Sequence, residues 1–343
     1  MMQSPILSYI IPYYNGQDTI KRQLDSIYSI PLGEGELEVI IVDDCSPLPA
    51  ETALKPIMDL YKGLRIVRHQ ENKRQGGAKN TGIRLATGNY IAFADQDDTI
   101  DPAHIHDILI QAIPKQPDIV LCQARRIYNS DKILTSEHPL ENGEIISGVH
   151  FCEQYYNAAF SAGPWSNLYR RQFLLDMHRP MAEKTLLEDV DWVQYHLFYA
   201  KKLMNFNYPI YNWYANMQSV THSNSPRLNA AYIAHGYRKI KNSQLFRQTS
   251  SRFADVILED GQYNVSTGLR FAWKTPRPWH IFDKKGCGEI SPSIWESLSQ
   301  LNWDGWTGFL VRNRFLAAII MTLAFPLRWA IFLKRYIIQL VNK

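Results

Sequence analysis

The chain has 343 residues, of which 45% are apolar and 20% are charged, a composition typical of a folded globular protein and not of a disordered or collagen-like one. At roughly 150 residues per domain, we expect two domains, or one large domain with an appendage. The 37 basic and 33 acidic residues leave a net charge of +4, an excess too small to indicate a nucleic-acid partner.

The four cysteines show neither a CxxC spacing nor a close pair with a histidine at metal-ligand spacing. This argues against a structural zinc site and a disulfide framework, and it fits a reducing compartment. The N-terminal sequence lacks the pattern of a secretory signal, and no stretch reaches the roughly 18 uncharged apolar residues of a spanning helix. We therefore expect a cytoplasmic protein.

Residues 1–125 alternate between short apolar runs and helical patterns. The runs that predict buried parallel strands are Leu7 to Ile11, Val39 to Val42, Arg65 to Val67, Tyr90 to Ala94 and Ile119 to Cys122. The apolar residues that recur at helical spacing are Ile20, Leu24 and Ile27, and then Ile105, Ile108, Leu109 and Ala112. Asp101 and Pro102 fit the N-cap and first position of the second helix. The alternation predicts an α/β fold with an open, mostly parallel sheet and flanking helices.

Polar loops follow four of the predicted strands. They are Pro12 to Gly16, Asp43 to Ser46, Asn72 to Asn80, and Asp95 to Asp98. Ligands of such sheets bind beyond the carboxyl ends of the strands, so we expect these loops to meet at one edge.

The loop Asp95-Gln96-Asp97-Asp98 carries three carboxylates within four residues. Such a cluster is costly to desolvate unless a cation compensates it. Oxygen ligands on a tight loop suit Mg²⁺ or Mn²⁺, which complete their shells with phosphate oxygens. The alternative is a solvated acidic turn before the next helix.

The segment around Lys73, Arg74 and Lys79 combines cationic side chains with glycines and a helix predicted to start near Ala78, features that suit a diphosphate. Neither GxGxxG nor GxxxxGK[ST] occurs. The pair Asp43-Asp44 is able to accept hydrogen bonds from a base and a ribose, or simply to begin a turn.

From about Leu140 the alternation of strands and helices ends, and aromatic residues become frequent. Glu188 and Asp189 begin a predicted helix, where acids either stabilise the macrodipole or supply a general base. His222 lies in a polar loop, where it is a candidate for metal or diphosphate binding or has neither role. Residues 226–304 indicate helices whose role the pattern does not reveal.

Together, these segments resemble the family 2 glycosyltransferases with the GT-A fold. The segments that carry the resemblance are Pro12 to Asn15, Val42 to Ser46, Gly76 to Gly82, Asp95 to Asp98, and Glu188-Asp189. The resemblance implies a GT-A domain over residues 1–225, with a nucleotide-sugar-binding half (1–125) and an acceptor-binding half (126–225). It implies inverting transfer from a nucleotide sugar, usually a UDP-sugar, to a hydroxyl of a glycan or lipid-linked acceptor, with Mn²⁺ or Mg²⁺ as cofactor. Bacterial surface polysaccharide or lipopolysaccharide assembly is the expected process.

The resemblance also implies roles for single residues. The expected donor-binding residues are Pro12, Tyr14, Asn15, Asp44, Lys79, Asp95 and Gln96, with Asp44 on the uracil. Asp97 is the expected metal ligand, supported by Asp98, and His222 is a second candidate. Asp189 is the expected catalytic base. Trp165 and Glu188 are expected on the acceptor side, although Trp165 also fits a buried core position.

Residues 305–343 carry six basic residues and no acidic ones, together with apolar and aromatic stretches. This pattern predicts a basic amphipathic tail that lies on an anionic membrane surface, placing the protein at the inner face of the cell membrane. The alternative is a helix pair packed on the domain or on a partner.

Two rival functions are left open by the residues alone. The run from Asp95 to Thr99 also fits the DxDx[TV] pattern of haloacid-dehalogenase-type phosphatases, with Asp95 as nucleophile and Asp97 as acid/base. That pattern normally follows the first strand of its domain, whereas three predicted strands precede it here. The second rival is a non-catalytic protein that binds sugar nucleotides or glycans.

Overall fold

A computed structural model describes residues 5–129, 132–135, 139–156, 163–215, 226–273, 292–301 and 305–313. The chain divides into two units, Met1–Asn216 and Met217–Lys343. The domain boundary predicted at residue 225 lies outside the described residues.

The described part of the first unit contains ten strands and seven α-helices. The strands are β1 (Leu7–Tyr13), β2 (Leu37–Asp43), β3 (Leu64–Arg68), β4 (Tyr90–Phe93), β5 (Thr99–Ile100), β6 (Ile119–Asn129), β7 (Lys132–Thr135), β8 (Ile145–Ile146), β9 (Asn167–Arg170) and β10 (Leu203–Tyr214). The helices are α1 (Ile20–Tyr28), α2 (Ala50–Leu54), α3 (Arg74–Leu85), α4 (Ile105–Lys115), α5 (Gly148–Gln154), α6 (Arg171–Met177) and α7 (Val190–Tyr199).

The strands form one sheet in the order β3-β2-β1-β4-β9-β6-β10-β5, with β7 paired to β6 and β8 to β10. Strands β3, β2, β1 and β4 are mutually parallel, as are β6 and β10. Strand β9 is antiparallel to both of its neighbours, so β6 runs in the same direction as β4. The prediction of an α/β fold with a mostly parallel sheet is confirmed.

All five predicted strands are present, because apolar runs of this length are buried when helices cover both faces of the sheet. Every residue of β1 is buried. Strand β3 is the exception to the expected burial. It lies at the edge of the sheet, and Arg65 and Arg68 are exposed there.

Two predicted helix starts are wrong. Helix α4 begins at Ile105, because the Asp101 N–H is held by the carbonyl oxygen of Ile210 in β10 and its carboxylate accepts from the Ala103 N–H. Helix α3 begins at Arg74 and not near Ala78, because the Asp44 carboxylate accepts hydrogen bonds from the Lys73 and Arg74 N–H groups. An acid from another loop thus caps this helix.

Helix α7 is anchored through Trp192, which is 2% exposed. Its ring makes edge contacts with Phe93 of β4 and Tyr169 of β9, and its indole N–H donates to the Arg179 carbonyl oxygen at 2.8 Å. This anchoring fixes the start of α7, where Asp189 lies, relative to the centre of the sheet.

The described part of the second unit is helical, as predicted for residues 226–304. Its helices are α8 (Pro226–Phe246), α9 (Ser251–Trp273), α10 (Pro292–Ser299) and α11 (Gly305–Arg312). A core that includes Ile233, Ile240, Val265 and Trp295 holds them together. None of the helices in the described ranges is long and apolar enough to cross a membrane. The predicted basic tail lies outside the described residues beyond Asn313.

Candidate active site

The candidate site lies beyond the carboxyl ends of the parallel strands β1, β2 and β4, the edge at which such sheets bind ligands. Three segments meet there: the loop after β1, the turn from Asp95 to Asp98 after β4, and the segment from 178 to 189 that precedes α7. Helix α3 contacts the second and third of these segments.

Lys79 of α3 is the centre of an acidic cluster. Its side chain is 1% exposed, and its Nζ lies 3.4 Å from Glu188 Oε1 and 4.0 Å from Asp95 Oδ1. The same ammonium group donates to Gln75 Oε1 at 3.0 Å. Burial lowers the pKa of Lys79, but the nearby carboxylates, Asp95 first, outweigh burial and the pKa is raised. Lys79 is therefore protonated, and its positive charge lies between Asp95 and Glu188, which are far apart in the sequence.

Helix α3 packs closely against the segment before α7. The Asn80 amide donates to the Met181 carbonyl oxygen and accepts from the Met181 N–H, both at 2.9 Å. A Cβ on Gly76 would lie 2.2 Å from the Ala182 carbonyl oxygen. A glycine is therefore needed here because the two backbones approach so closely.

Asp189 is the N-cap of α7, and its Oδ1 accepts from the Val190 N–H at 2.9 Å. Leu187, two residues earlier, has a φ of 57°, a left-handed conformation that is rare for a bulky residue. Burial and then the charge of Glu188 raise the pKa of Asp189 to about 7. Such a carboxyl group is suited to take a proton from a hydroxyl group near neutral pH.

Asp44 is held entirely by groups of the chain. Its carboxylate lies 2.8 Å from His69 Nδ1 and accepts the Lys73 and Arg74 N–H groups at 2.8 and 2.6 Å. The anion at the amino end of α3 is therefore the Asp44 carboxylate of the chain itself, where the sequence suggested a diphosphate. The Asp43 carboxylate likewise accepts the N–H groups of Ser46 and Ala50 and closes its own loop.

Gln96 joins the loop after β1 to the turn after β4. Its Oε1 accepts from the Tyr14 N–H and its Nε2 donates to the Tyr14 carbonyl oxygen, both at 2.9 Å. A Cβ on Gly16 would lie 2.2 Å from Gln96 Oε1, so a side chain there would displace the Gln96 amide from its present position. The neighbouring Asn15 N–H donates to Ser46 Oγ at 3.2 Å, while Pro12 lies within β1. Tyr14 itself is 46% exposed.

The three carboxylates of the turn have different surroundings. Asp98 is buried, accepting from the Tyr211 hydroxyl at 2.7 Å and from the Tyr214 N–H at 2.9 Å. Burial and then the charge of Asp95 raise the pKa of Asp98 to about 8. Asp95 pairs with Lys79.

Within the described residues, the Asp97 side chain makes no hydrogen bond or ion pair. Only its carbonyl oxygen is bonded, to Arg22.

The donor set fits a hard divalent cation held by few protein ligands. No group of three histidine, cysteine or acidic side chains is arranged as a metal cage in the described ranges. A single half-buried carboxylate, Asp97, is what Mg²⁺ or Mn²⁺ uses when substrate phosphates supply other ligands. His222, the other candidate ligand, lies outside the described residues.

Trp165 is half-buried in a short 3₁₀ turn, Pro164–Ser166. Its ring stacks on Tyr211 at 4.7 Å between centroids and 19° between planes. The tyrosine therefore covers one face of the indole.

Sequence reasoning missed Tyr211, Tyr214, Gln75 and Asn80. The two tyrosines lie in β10, a strand that the pattern did not predict. Asn80 was quoted only as part of a motif, and a backbone partner 101 residues away leaves no local signal.

Comparison with known proteins gives a consistent result. Residues 8–174 match the family model described as glycosyl transferase family 2. The chain is 24% identical over 310 residues to EpsH of Bacillus subtilis (strain 168), a protein named as a glycosyltransferase, with 87% of each chain covered. It is 34% identical over 109 residues to the succinoglycan biosynthesis protein ExoO of Rhizobium meliloti (strain 1021), which covers 32% of this chain and 30% of ExoO.

Among solved structures, residues 1–349 of S. aureus TarS in complex with UDP-GlcNAc superpose with a TM-score of 0.63 and 16% identity, covering 92% of this chain and 89% of that one. The likeness shows the same fold. The family match favours glycosyl transfer over the phosphatase and the non-catalytic binding protein.

Replacing Lys79 by methionine will strongly destabilise the first unit. The substitution leaves Asp95 and Glu188 without their buried cation, and breaking a buried pair costs about 3–5 kcal/mol. Urea unfolding followed by tryptophan fluorescence measures the loss. Because burial raises the pKa of Asp95, and protonation of this carboxylate removes one of the uncompensated charges, the loss is expected to shrink as the pH falls from 8 to 5.

Lys62→Met is the matched control, because Lys62 pairs with Glu34 at 3.6 Å with both side chains more than 80% exposed. Such a pair contributes about 0–1 kcal/mol. Equal stability losses in the two variants would contradict a compensating role for Lys79.

Proposed function

Because the chain belongs to glycosyl transferase family 2, we propose that it transfers a sugar from a UDP-sugar to a hydroxyl group of a glycan or lipid-linked acceptor, with inversion at the anomeric carbon. The observation that carries this proposal is that the acids of the site have three different environments. Lys79 compensates Asp95 and Glu188, the Asp97 carboxylate has no partner within the described ranges, and the pKa of Asp189 is about 7.

The donor end of the site is the edge formed by the loops after β1, β2 and β4. The exposed Tyr14 side chain is the proposed contact for a nucleobase, with Asn15 in the same loop and Pro12 in the strand that leads into it. Asp44 makes this edge rigid, because its carboxylate bonds to His69 and to the Arg74 N–H. The same carboxylate oxygens are the proposed acceptors for a base N–H. Fixed polar groups of this kind bind a ligand without reorganising.

Asp97 is the proposed ligand of the divalent cation. Mn²⁺ or Mg²⁺ bound there stabilises the negative charge that grows on a departing diphosphate. The positive charge of Lys79 lies behind the same turn, 4.0 Å from Asp95, and adds a fixed favourable field.

Asp189 is the proposed general base. When ionised, it takes the proton of the acceptor hydroxyl as that oxygen attacks the anomeric carbon from the face opposite the departing diphosphate. A single displacement of this kind inverts the configuration. Glu188 and Trp165 are the proposed acceptor-side residues, the first beside the base and the second as a ring on which a sugar is able to stack.

Substituting the two aspartates separates transfer from donor binding. In Asp189→Asn, we expect the transfer rate to fall by about 10²- to 10⁴-fold, because the proton acceptor is lost, while UDP binding is unchanged. In Asp97→Ala, we expect Mn²⁺-dependent UDP binding itself to weaken. Isothermal titration with UDP and Mn²⁺, together with a UDP-release assay, measures both quantities.

In the wild type, the rate should rise as the pH increases from 6 to 8, because the base works in its deprotonated form and its pKa is about 7. Asp176→Asn, on the exposed face of α6, is the control and should match the wild type. Transfer at the wild-type rate by Asp189→Asn would remove Asp189 from this role.

The expected product is a surface polysaccharide or lipopolysaccharide. The relative ExoO is named for succinoglycan biosynthesis, which supports a polysaccharide product. The six basic residues of 305–343, with no acidic ones, supply an electrostatic attraction to anionic lipid of about 1 kcal/mol each near the surface. We therefore place the protein at the inner face of the cell membrane.

Flotation with vesicles tests this location. The full chain should float with vesicles that contain anionic lipid, and less so at high salt, because salt screens the attraction. A chain that ends before Gly305 should stay with the unbound protein. Equal flotation of the two chains would contradict the proposal that residues 305–343 bind the membrane.

A further inference from the structure

The last strand of the first unit, β10, ends beside the turn that carries Asp97. The Tyr211 hydroxyl accepts a hydrogen bond from the Asp95 N–H at 2.9 Å and donates one to Asp98 Oδ2 at 2.7 Å. The other oxygen of Asp98 accepts the Tyr214 N–H at 2.9 Å. One hydroxyl group thus joins the first and last residues of the turn.

These contacts determine where Asp97 points. Asp97 lies between the two residues that Tyr211 holds, and its own carboxylate has no partner among the described residues. Its backbone is also held from the other side, because Arg22 donates to the Asp97 carbonyl oxygen and stacks over the Tyr214 ring at 4.6 Å. The direction of the carboxylate therefore depends on a backbone that β10 and α1 fix.

The Tyr211 ring is itself immobilised. It is completely buried, and Trp165 stacks against it at 4.7 Å. A phenolic hydroxyl on a packed ring has few alternative positions, so the two hydrogen bonds are preorganised. Tyr211 therefore links Trp165, the proposed acceptor-side residue, to the turn that carries Asp97.

We propose that Tyr211 is a positioning residue for the divalent cation: its hydroxyl group fixes the turn so that the Asp97 carboxylate faces the cation. The inference rests on the proposed function, in which Asp97 is the metal ligand. Groups that orient a metal ligand commonly contribute 10- to 100-fold to metal affinity. We expect the lower part of that range, about 10-fold, because Tyr214 and Arg22 keep holding the turn.

The test is Tyr211→Phe, which keeps the ring and its stack on Trp165 but removes the hydroxyl. Binding of Mn²⁺ is measured by electron paramagnetic resonance in the presence of saturating UDP. The expected result is a Kd for Mn²⁺ that rises about 10-fold. The rate at saturating Mn²⁺ should recover toward the wild-type value, so that the loss appears in KM for the metal and not in kcat.

The matched control is Tyr9→Phe. The Tyr9 hydroxyl is also buried in the sheet but has no hydrogen-bond partner in the part of the chain that the structure describes, so its removal should leave the Mn²⁺ affinity unchanged. Asp98→Asn is a second test, should Tyr211→Phe not fold, because it alters the acceptor of the same hydrogen bond. It should weaken Mn²⁺ binding in the same direction.

Three outcomes are distinguishable. If wild-type protein binds UDP without any dependence on Mn²⁺, the proposed function fails, and this inference fails with it. If the wild type shows the dependence and both Tyr211→Phe and Asp98→Asn bind Mn²⁺ with wild-type affinity, the positioning role alone is wrong. A lowered Tm with an unchanged Kd would likewise show that Tyr211 is only structural.

Discussion

The site depends on one buried interaction, the ammonium group of Lys79 among the carboxylates that line the end of the sheet. A carboxylate removed from water is costly unless it is paired, and here two of them, Asp95 and Glu188, come from segments 93 residues apart. Lys79 compensates both while being almost completely buried itself. Without Lys79, the Asp95 carboxylate in the turn after β4 and the Glu188 carboxylate before α7 would not keep their positions as ionised groups.

Around this pair, most polar side chains of the site hold the protein together, and few are left free. Asp44 caps α3, Gln96 ties two loops to each other, and Asp98 is bonded to β10. Asp97 is the acid of the turn after β4 that lacks such a partner among the described residues. A rigid frame in which this carboxylate is unpaired within the described part of the chain is suited to chemistry in which charge develops at a fixed point, because little reorganisation is then needed.

The sequence was sufficient for the parallel half of the sheet and for the edge at which the site forms. Apolar runs mark β1, β2, β3, β4 and β6, and the polar loops after the first four of these strands contact one another as expected. Strand β10 was not predicted, because Asn205, Asn207 and Pro209 interrupt its apolar pattern and its pairing with β6 shifts register there. The start of α3 was placed too late, since its early glycines suggest a loop and its cap comes from Asp44. Partners separated by about a hundred residues, such as Lys79 and Glu188, leave no pattern in a single sequence.

The most direct measurement is the position of manganese in a crystal of the protein with UDP and Mn²⁺, located by its anomalous scattering. The account predicts a manganese peak within bonding distance of the Asp97 carboxylate and of the diphosphate, with Lys79 still in contact with Asp95 and Glu188. A peak bound to Asp95 or Asp98 instead, or Asp97 turned into bulk solvent with UDP bound elsewhere, would contradict it.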